Sequence, residues 1–434
     1  MTRPTSDPVA IQPFTAPPDA AVRLPGSKSL TNRALVCAAL ARGESRLRGA
    51  LFADDTEAML DGLAALGVHC VADREAATVS VVGCRGRPPA QGALVDARLS
   101  GTTSRFLLPV AALANGTVVV DGAPPLRARP MADLLAALVA LGAQVEPLGE
   151  AGHLPVRIEA SGLAGGRVTL RGDVSSQFLS AVLLSGPAMD RGIEVVVDGP
   201  LVSVPYVDMT VEVMRAFGAV IDRDEVAGGR TALRVAASDY RADEDHHIEP
   251  DASAASYFFA AAAILGGRVR VEGLGTGSRQ GDMAFVDVLE RMGAEVLRDA
   301  DATEVRGTGR LEGVTVDLGD LSDTAQTLAA VAVFARGPTT IDGIGFIRAK
   351  ETDRIGAVVT ELRRCGIAAE ELPDGMRIHP GTPAPASVRT YDDHRMAMSF
   401  ALLGLRSPGI VIEDPGCVAK TFPGFWRALE ALRP

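Results

Sequence analysis

The chain repeats one pattern of about 75 residues six times, and this repeat constrains the fold more than any other feature. An amphipathic helical segment that ends in glycine recurs five times, with spacings of 75, 76, 75 and 73 residues. These glycines are Gly67, Gly142, Gly218, Gly293 and Gly366. A second pattern, an apolar helix followed by a glycine and a strand, places glycines at positions 43, 116, 192, 267, 337 and 409. Because two landmarks keep one period, the sequence indicates six copies of one structural unit.

Each copy reads as an apolar helix, a strand, a second helix with a glycine C-cap and one or two further strands. Since six such copies exceed what one core usually holds, we expect two lobes of three copies each. The charged stretch 241–250 is the predicted boundary, and its two histidines are interpreted as a solvated linker. The last copy, 391–434, is short, and the N-terminal segments AIQPF and VRLPG could supply its missing strands.

This organisation predicts the course of the chain between the lobes. One lobe would consist of residues 1–27 plus 248–434, completed by the N-terminal strand, and the other of residues 28–247. A large cleft between lobes is a common place for ligands, so we expect the active site there.

Composition excludes several classes of function. A net charge of −11 argues against a nucleic acid or an acidic membrane surface as partner, and no apolar run is long enough to span a membrane. The five cysteines lack CxxC spacing and the six histidines lack ligand spacing, which predicts reduced thiols and no metal site. The first 20 residues hold five prolines and no apolar core, which is typical of a loose tail and not of a signal peptide.

Lysine is rare in this chain: only Lys28, Lys350 and Lys420 occur, against forty arginines. Lysine is a compact cation whose pKa moves readily, whereas arginine is a planar fork that stays protonated. Each of the three lies in a short run of polar, charged or turn-forming residues. We interpret them as three cationic side chains around one anion-binding site, which would be strongly positive.

The starts of the apolar helices support an anion site. They read GSKSLTNR, SGTTSR, VSSQFL, DASAAS, SDTAQT and YDDHRM. Helix capping explains the Ser, Thr or Asp in any one of them. Six helix N-termini rich in hydroxyls and cations favour anion binding as well, because the free N–H groups and the dipole attract negative charge. The phosphate-loop spacing of nucleotide-binding proteins is absent.

Several segments closely resemble the 5-enolpyruvylshikimate-3-phosphate (EPSP) synthase family. They are LPGSKSLTNRAL, RARP, VSSQFLSAVL, DASAASYF, QGD, IRAKETDR, YDDHRMAMSF and CVAKTFPGF, in this order between positions 24 and 425. The resemblance implies a two-lobed inside-out α/β barrel of six βαβαββ copies. It also implies transfer of the enolpyruvyl group of phosphoenolpyruvate to the 5-hydroxyl of shikimate 3-phosphate, on the shikimate pathway to chorismate. It implies a cytoplasmic monomer without metal or organic cofactor.

The resemblance also implies the site residues. Those for shikimate 3-phosphate are Lys28, Ser29, Arg33, Ser175, Ser176, Gln177, Ser203, Asp323 and Lys350. Those for phosphoenolpyruvate are Lys28, Gly101, Arg129, Gln177, Arg354, Arg395 and Lys420. Asp323 and Glu351 would exchange protons during the reaction, with Lys28 beside the reacting carbon. The glycine at position 101 implies sensitivity to the herbicide glyphosate.

Two positions depart from the family pattern, since Leu99 and Phe346 stand where the family usually has asparagine. We interpret both as variation within the family that affects substrate contacts and not the reaction. The related transferase acting on UDP-N-acetylglucosamine is the alternative, but its loop usually carries a reactive cysteine and APPLRARPM contains none. A non-catalytic relative is the other alternative, and it would be expected to lose the charged residues that this chain keeps.

Overall fold

The computed structural model describes residues 7–226 and 229–434, which form two compact units. The N-terminal unit is Gly26–Ile248, and the C-terminal unit joins the chain up to Pro25 to Glu249–Pro434. Each unit has its own hydrophobic core. The predicted N-terminal tail begins in residues 1–6, which lie outside the described residues. Within the described ranges, no helix is long and apolar enough to cross a membrane.

The elements follow the predicted repeat. Two strands precede the first copy: β1 (Val9–Ala10) and β2 (Asp19–Arg23). The first copy contains α1 (Lys28–Leu40), β3 (Glu44–Arg48), α2 (Asp54–Ala65), β4 (His69–Asp73) and β5 (Thr78–Val82). The second contains β6 (Gly92–Asp96), α3 (Gly101–Ala112), β7 (Asn115–Asp121), α4 (Pro124–Arg127), α5 (Ala132–Ala140), β8 (Gln144–Pro147) and β9 (Val156–Ser161). The third contains β10 (Gly166–Arg171), α6 (Ser176–Ser185), β11 (Ile193–Asp198), α7 (Val204–Ala216), β12 (Ile221–Val226) and β13 (Arg230–Val235), and is followed by β14 (His246–His247).

The remaining copies lie in the C-terminal unit. The fourth contains α8 (Ala252–Leu265), β15 (Arg268–Glu272), α9 (Phe285–Arg291), β16 (Glu295–Arg298) and β17 (Ala302–Arg306). The fifth contains β18 (Thr315–Asp317), α10 (Ala325–Ala332), β19 (Thr339–Asp342), α11 (Arg354–Arg364), β20 (Ala369–Leu372) and β21 (Gly375–Ile378). The sixth contains β22 (Ala386–Val388), α12 (His394–Gly404), β23 (Ile410–Ile412) and α13 (Phe425–Glu430).

Each copy corresponds to one small sheet, and five of the six sheets have four strands with the same pairing. In the second copy the order is β6-β7-β9-β8, with β6 parallel to β7 and the other pairs antiparallel. The other orders are β14-β3-β5-β4, β10-β11-β13-β12, β2-β15-β17-β16, β18-β19-β21-β20 and the three-stranded β22-β23-β1. In the second, third, fifth and sixth copies, the helix between the two parallel strands makes the crossover that parallel pairing requires, whereas in the first and fourth copies the outer parallel strand, β14 or β2, comes from a distant part of the chain.

The chain termini complete the sheets in a way that the sequence predicts only in part. β1 pairs with β23, so the N-terminal segment does supply a strand to the last copy, although only Ala10 of AIQPF lies in that strand. The VRLPG prediction is wrong, because β2 pairs in parallel with β15 and is the first strand of the fourth copy. The interpretation as a solvated linker is wrong for His246, whereas His247 is solvent-exposed as expected. These residues form β14, parallel to β3 in the first copy, and His246 is buried.

Three helices form the centre of each unit. Helices α1, α3 and α6 contact one another in the N-terminal unit, as α8, α10 and α12 do in the C-terminal unit. Every residue of α3, α10 and α12 is buried, which is the position expected of helices that are mostly apolar beyond a polar first turn. Strands such as β3 alternate buried and exposed residues, so their sheets cover these helices. This is the predicted inside-out α/β arrangement, with three βαβαββ copies in each unit.

Side-chain capping is confirmed at five of the six predicted helix starts but not at α10, and it is confirmed at the glycine ends of the second helices. Side chains of Ser27, Ser100, Ser175, Asp251 and Asp393 accept backbone N–H groups at the starts of α1, α3, α6, α8 and α12. The five glycines that end the second helices have φ between 76° and 107°, a region that favours glycine. The fold therefore presents the predicted polar segments at helix N-termini in both units.

Candidate active site

Lys28 is the first residue of α1 and lies beside a buried carboxylate. Its Nζ is 3.4 Å from Oδ2 of Asp55, and the two side chains are 12% and 4% exposed. Asp55 belongs to the first turn of α2. The pairing keeps the lysine in place at the helix N-terminus, where cation and free N–H groups together favour an anion.

A second group of residues surrounds the start of α3. A Cβ placed on Gly101 would lie 3.0 Å from Nη1 of Arg129 and 3.3 Å from Nη1 of Arg105. Arg105 donates from Nη1 to the side-chain oxygen of Gln177 at 2.6 Å, which links α3 to α6. Both arginines are buried. The structure thus brings the predicted residues Gly101, Arg129 and Gln177 together, and Arg105 joins them.

Three serines lie at the N-termini of two adjacent helices. Ser175 caps α6 and accepts the N–H of Gln177, and Ser176 is the first residue of that helix. Ser203 precedes α7 and has a left-handed φ of 55°, which is uncommon for a residue other than glycine. Helices α6 and α7 pack against each other. Hydroxyls at two helix N-termini are suitable for a phosphate group.

Arg33 has internal partners in the N-terminal unit. Its guanidinium donates to the hydroxyl of Thr210 at 2.7 Å and to the carbonyls of Ser29 and Tyr206, each at 3.0 Å. Burial lowers the pKa of Arg33 to about 10. These contacts join α1 to α7, so the structure gives Arg33 a packing function, and its predicted contact with shikimate 3-phosphate stays a prediction.

In the C-terminal unit, the carboxylate of Asp323 forms ion pairs with three cationic side chains. Lys350 Nζ lies 2.7 Å and Arg354 Nη1 lies 3.0 Å from Oδ1, while Arg395 Nη2 lies 2.7 Å from Oδ2. Asp323 comes from the turn before α10, Lys350 from the segment before α11, Arg354 from the first turn of α11 and Arg395 from the start of α12. Burial lowers the pKa of Lys350, although the Asp323 carboxylate opposes this effect. Asp323, Lys350, Arg354 and Arg395 therefore form one cluster, as their predicted roles require.

Arg354 contacts two further carboxylates. Its Nη2 lies 2.8 Å from Oε2 of Glu351, and its Nε donates to Oδ2 of Asp393 at 2.8 Å. The cluster consequently matches three cations with three carboxylates, so this group is not the strongly cationic one that the sequence suggested. The pairing with Asp393 was not predicted. Its place just before α12 indicates a helix cap, but nothing in the local pattern indicates Arg354 as its partner.

Asp282 is a second carboxyl that sequence reasoning did not assign, although its QGD segment contributes to the family resemblance. It is buried in the 3₁₀ turn Gly281–Ala284 and accepts a hydrogen bond from the hydroxyl of Ser253. Burial, with a smaller contribution from the nearby Asp323 carboxylate, raises the pKa of Asp282 to about 6. A carboxyl of this kind can hold or release a proton near neutral pH.

Three further positions singled out in the sequence, Lys420, Phe346 and Leu99, have the following surroundings. Lys420 ends the 3₁₀ turn Pro415–Lys420 and is buried. Phe346, which replaces the usual asparagine, has its ring centroid 5.6 Å from Nζ of Lys350, a cation–π distance. Leu99 is half-buried next to the Ser100 cap of α3. The substitution at 346 therefore places an aromatic face against a predicted substrate-binding lysine.

The described residues show neither a metal centre nor a disulfide. No group of three or more His, Cys, Asp or Glu side chains in residues 7–226 and 229–434 has an arrangement suited to a metal ion. None of the five cysteines, all of which lie in the described ranges, forms a disulfide.

The family model described as EPSP synthase (3-phosphoshikimate 1-carboxyvinyltransferase) matches residues 15–429. The chain belongs to the EPSP synthase family. A 3-phosphoshikimate 1-carboxyvinyltransferase of Nostoc punctiforme is 46% identical, over 97% of this chain and 98% of the relative. One of Methanoculleus marisnigri is 44% identical, over 96% of this chain and 97% of the relative.

Solved structures agree with this family assignment. The EPSP synthase of Acinetobacter baumannii has a TM-score of 0.82 and 26% identity, covering 99% of this chain and 98% of that one. The enolpyruvyl transferase NikO of Streptomyces tendae is 22% identical with a TM-score of 0.73, over 98% of this chain and 97% of that one, which shows a common fold. The family and fold predicted from the sequence are confirmed.

Proposed function

We propose that this protein transfers the enolpyruvyl group of phosphoenolpyruvate to the 5-hydroxyl of shikimate 3-phosphate and releases phosphate. Family membership over residues 15–429 and full-length relatives of that activity support the proposal. The observation that carries it is the contact of Asp323 with Lys350, Arg354 and Arg395, because the reaction combines two anions and moves protons between them.

The serines of the N-terminal unit are the proposed 3-phosphate site. Ser175, Ser176 and Ser203 offer hydroxyls at the N-termini of α6 and α7, where backbone N–H groups add to the attraction. Arg129, whose guanidinium lies next to Gly101, is the proposed contact for phosphoenolpyruvate in this unit. A planar guanidinium suits a carboxylate or a phosphate because it donates two parallel hydrogen bonds.

The reaction requires two opposite proton movements. In the addition, the 5-hydroxyl loses its proton as its oxygen bonds to C2 of phosphoenolpyruvate, and C3 gains a proton to become a methyl group. In the elimination, the C2–O bond to phosphate breaks and the methyl group loses a proton, which restores the double bond. We propose that Asp323 and Glu351 exchange these protons, with Lys28 beside the reacting carbon, since positioned carboxyls are effective acids and bases.

Lys350, Arg354, Arg395 and Lys420 are the proposed cations for the substrates in the C-terminal unit. Three of them already neutralise carboxylates, so a substrate anion would share or replace existing partners. Such preorganised charges stabilise developing charge without reorganisation during the reaction. The proposal needs no metal or organic cofactor for these steps. We further propose that the protein acts as a cytoplasmic monomer on the pathway to chorismate, as the family resemblance implies.

The alternative substrate, UDP-N-acetylglucosamine, is not favoured. The relatives named above carry the activity on 3-phosphoshikimate, and the stretch 123–131 contains no cysteine. The deciding experiment is phosphate release from phosphoenolpyruvate, measured with shikimate 3-phosphate and separately with UDP-N-acetylglucosamine. Release with the first acceptor alone is expected, and release with only the second would overturn the proposal.

A further inference from the structure

Two consecutive residues just before α12 have left-handed backbone conformations. Tyr391 has φ 55° and Asp392 has φ 56°. Residues other than glycine adopt this region at a cost in free energy, and an aromatic residue does so less readily than aspartate. Such conformations persist only where the surrounding structure holds them, and they are frequent at functional sites. The turn is therefore expected to have a specific anchor.

The anchor is Glu361, a fully buried carboxylate on α11. Its Oε1 accepts the hydroxyl of Tyr391 at 2.7 Å, and its Oε2 accepts the backbone N–H of Arg389 at 3.1 Å. Arg364 also donates to Oε2, at 2.9 Å. Tyr391 is 38% exposed, so apolar burial alone does not fix the ring. Two of the three hydrogen bonds thus attach the turn to α11.

The turn leads directly to residues of the proposed site. The carboxylate of Asp393 accepts the backbone N–H of Arg395 at 2.9 Å and thereby caps the start of α12. The same carboxylate accepts a hydrogen bond from Arg354. Arg354 is the first residue of α11, and Glu361 lies seven residues later on the same helix. At 1.5 Å rise per residue, the two are about 10 Å apart along the helix axis. One helix therefore contacts the turn at two separate points.

We propose that Glu361 is a positioning residue: through Tyr391 and Arg389 it holds the left-handed turn that places Asp393 against Arg354 and aims Arg395 at Asp323. The inference rests on the proposed function, because it takes Arg354 and Arg395 as contacts of phosphoenolpyruvate. Glu361 itself acts through these residues and does not touch the reacting atoms.

The test compares Tyr391→Phe with Arg364→Gln in the full-length protein. The first removes only the hydroxyl that joins the turn to Glu361, and the second removes a donor to Glu361 that does not belong to the turn. We expect Tyr391→Phe to raise the KM for phosphoenolpyruvate about tenfold, a factor that corresponds to ~1.4 kcal/mol. Calorimetric binding of shikimate 3-phosphate alone should stay within about twofold, and Arg364→Gln should change neither value.

A second readout does not depend on activity. The backbone N–H of Arg395 donates to the Asp393 carboxylate. Its hydrogen exchange should accelerate about tenfold in Tyr391→Phe, because a looser turn exposes this N–H more often. It should not accelerate in Arg364→Gln. An unchanged exchange rate and an unchanged KM in Tyr391→Phe, or equal changes in both variants, would overturn the inference. If the wild-type protein released no phosphate with shikimate 3-phosphate, the proposed function would fail, and the exchange experiment would still decide the positioning role.

Discussion

Arg354 and Asp393 form a two-point ion pair in the interior of the C-terminal unit. Nε of the arginine lies 2.8 Å from Oδ2 and Nη2 lies 3.4 Å from Oδ1, and the side chains are 2% and 0% exposed. Burial alone would lower the pKa of Arg354, but the carboxylates of Asp393, Glu351 and Asp323 raise it above its usual value. The pair therefore fixes a proposed substrate-binding arginine in one orientation.

Removal of the carboxylate charge in Asp393→Asn should destabilise the protein by about 3–5 kcal/mol, because it leaves a buried cation with one partner fewer. Thermal unfolding measures this loss. The neighbouring Asp392→Asn is the control, since asparagine tolerates the left-handed conformation there and residue 392 is exposed. Equal melting temperatures for the two variants would contradict a stabilising role for the pair.

Lys28 and Lys420 should not tolerate arginine. Both are largely buried, and a longer planar guanidinium does not reproduce a compact ammonium. Loss of one preorganised contact typically lowers the rate by ~10²–10³, so Lys28→Arg and Lys420→Arg should lose turnover by at least that factor although charge is kept. Steady-state phosphate release is the measurement. Near-normal turnover in both variants would refute the interpretation of the rare lysines.

Glu351→Gln should slow proton transfer at C3 of the substrate. Glutamine keeps a polar contact with Arg354 but cannot act as a carboxyl acid or base. Exchange of the methylene protons of phosphoenolpyruvate with deuterated solvent, followed by NMR, should fall together with turnover. If exchange continued at the wild-type rate, the role would belong to another residue, and Asp323→Asn would be tested next.

Glyphosate should inhibit the wild-type protein in competition with phosphoenolpyruvate. Gly101→Ala should weaken both ligands, because the added Cβ would lie 3.0 Å from Nη1 of Arg129 and displace it. Weakening one charge-assisted hydrogen bond by about 1.5 kcal/mol corresponds to roughly a tenfold loss of affinity. Inhibition constants and KM values measured in parallel test this. Unchanged values for both ligands in Gly101→Ala would show that Arg129 does not bind them.

Asp282 should make stability depend on pH. Its pKa is about 6 in the folded protein and lower in the unfolded chain, so the folded state holds the extra proton between these values. The contribution of this group is therefore complete below pH ~4 and is lost as pH rises to about 6. Over that interval the melting temperature of the wild type should fall relative to that of Asp282→Asn. Above it, the difference between the two melting temperatures should stay constant. A constant difference across the whole range would argue that Asp282 ionises normally.

Much of the site could be predicted because its residues belong to local patterns. Ser175 and Asp393 stand where a cap is required, and Lys28 and Lys350 are conspicuous because lysine is rare. The family resemblance then supplied roles that no local pattern contains. The buried Asp282 and the anchor Glu361 were missed, because an acidic residue in a sequence looks the same whether its side chain faces solvent or the interior.

The sequence by itself determined the six copies, their helix caps and their alternation of helices and strands, because periodicity records which side of each element is buried. Tertiary structure alone decided that β2 completes the fourth sheet and β14 the first, since both pair with strands distant in the chain. It also decided that Arg354 meets Asp393 and that Tyr391 meets Glu361. Residues 30 to 40 positions apart come into contact only through the path of the backbone, and local patterns carry no record of that path.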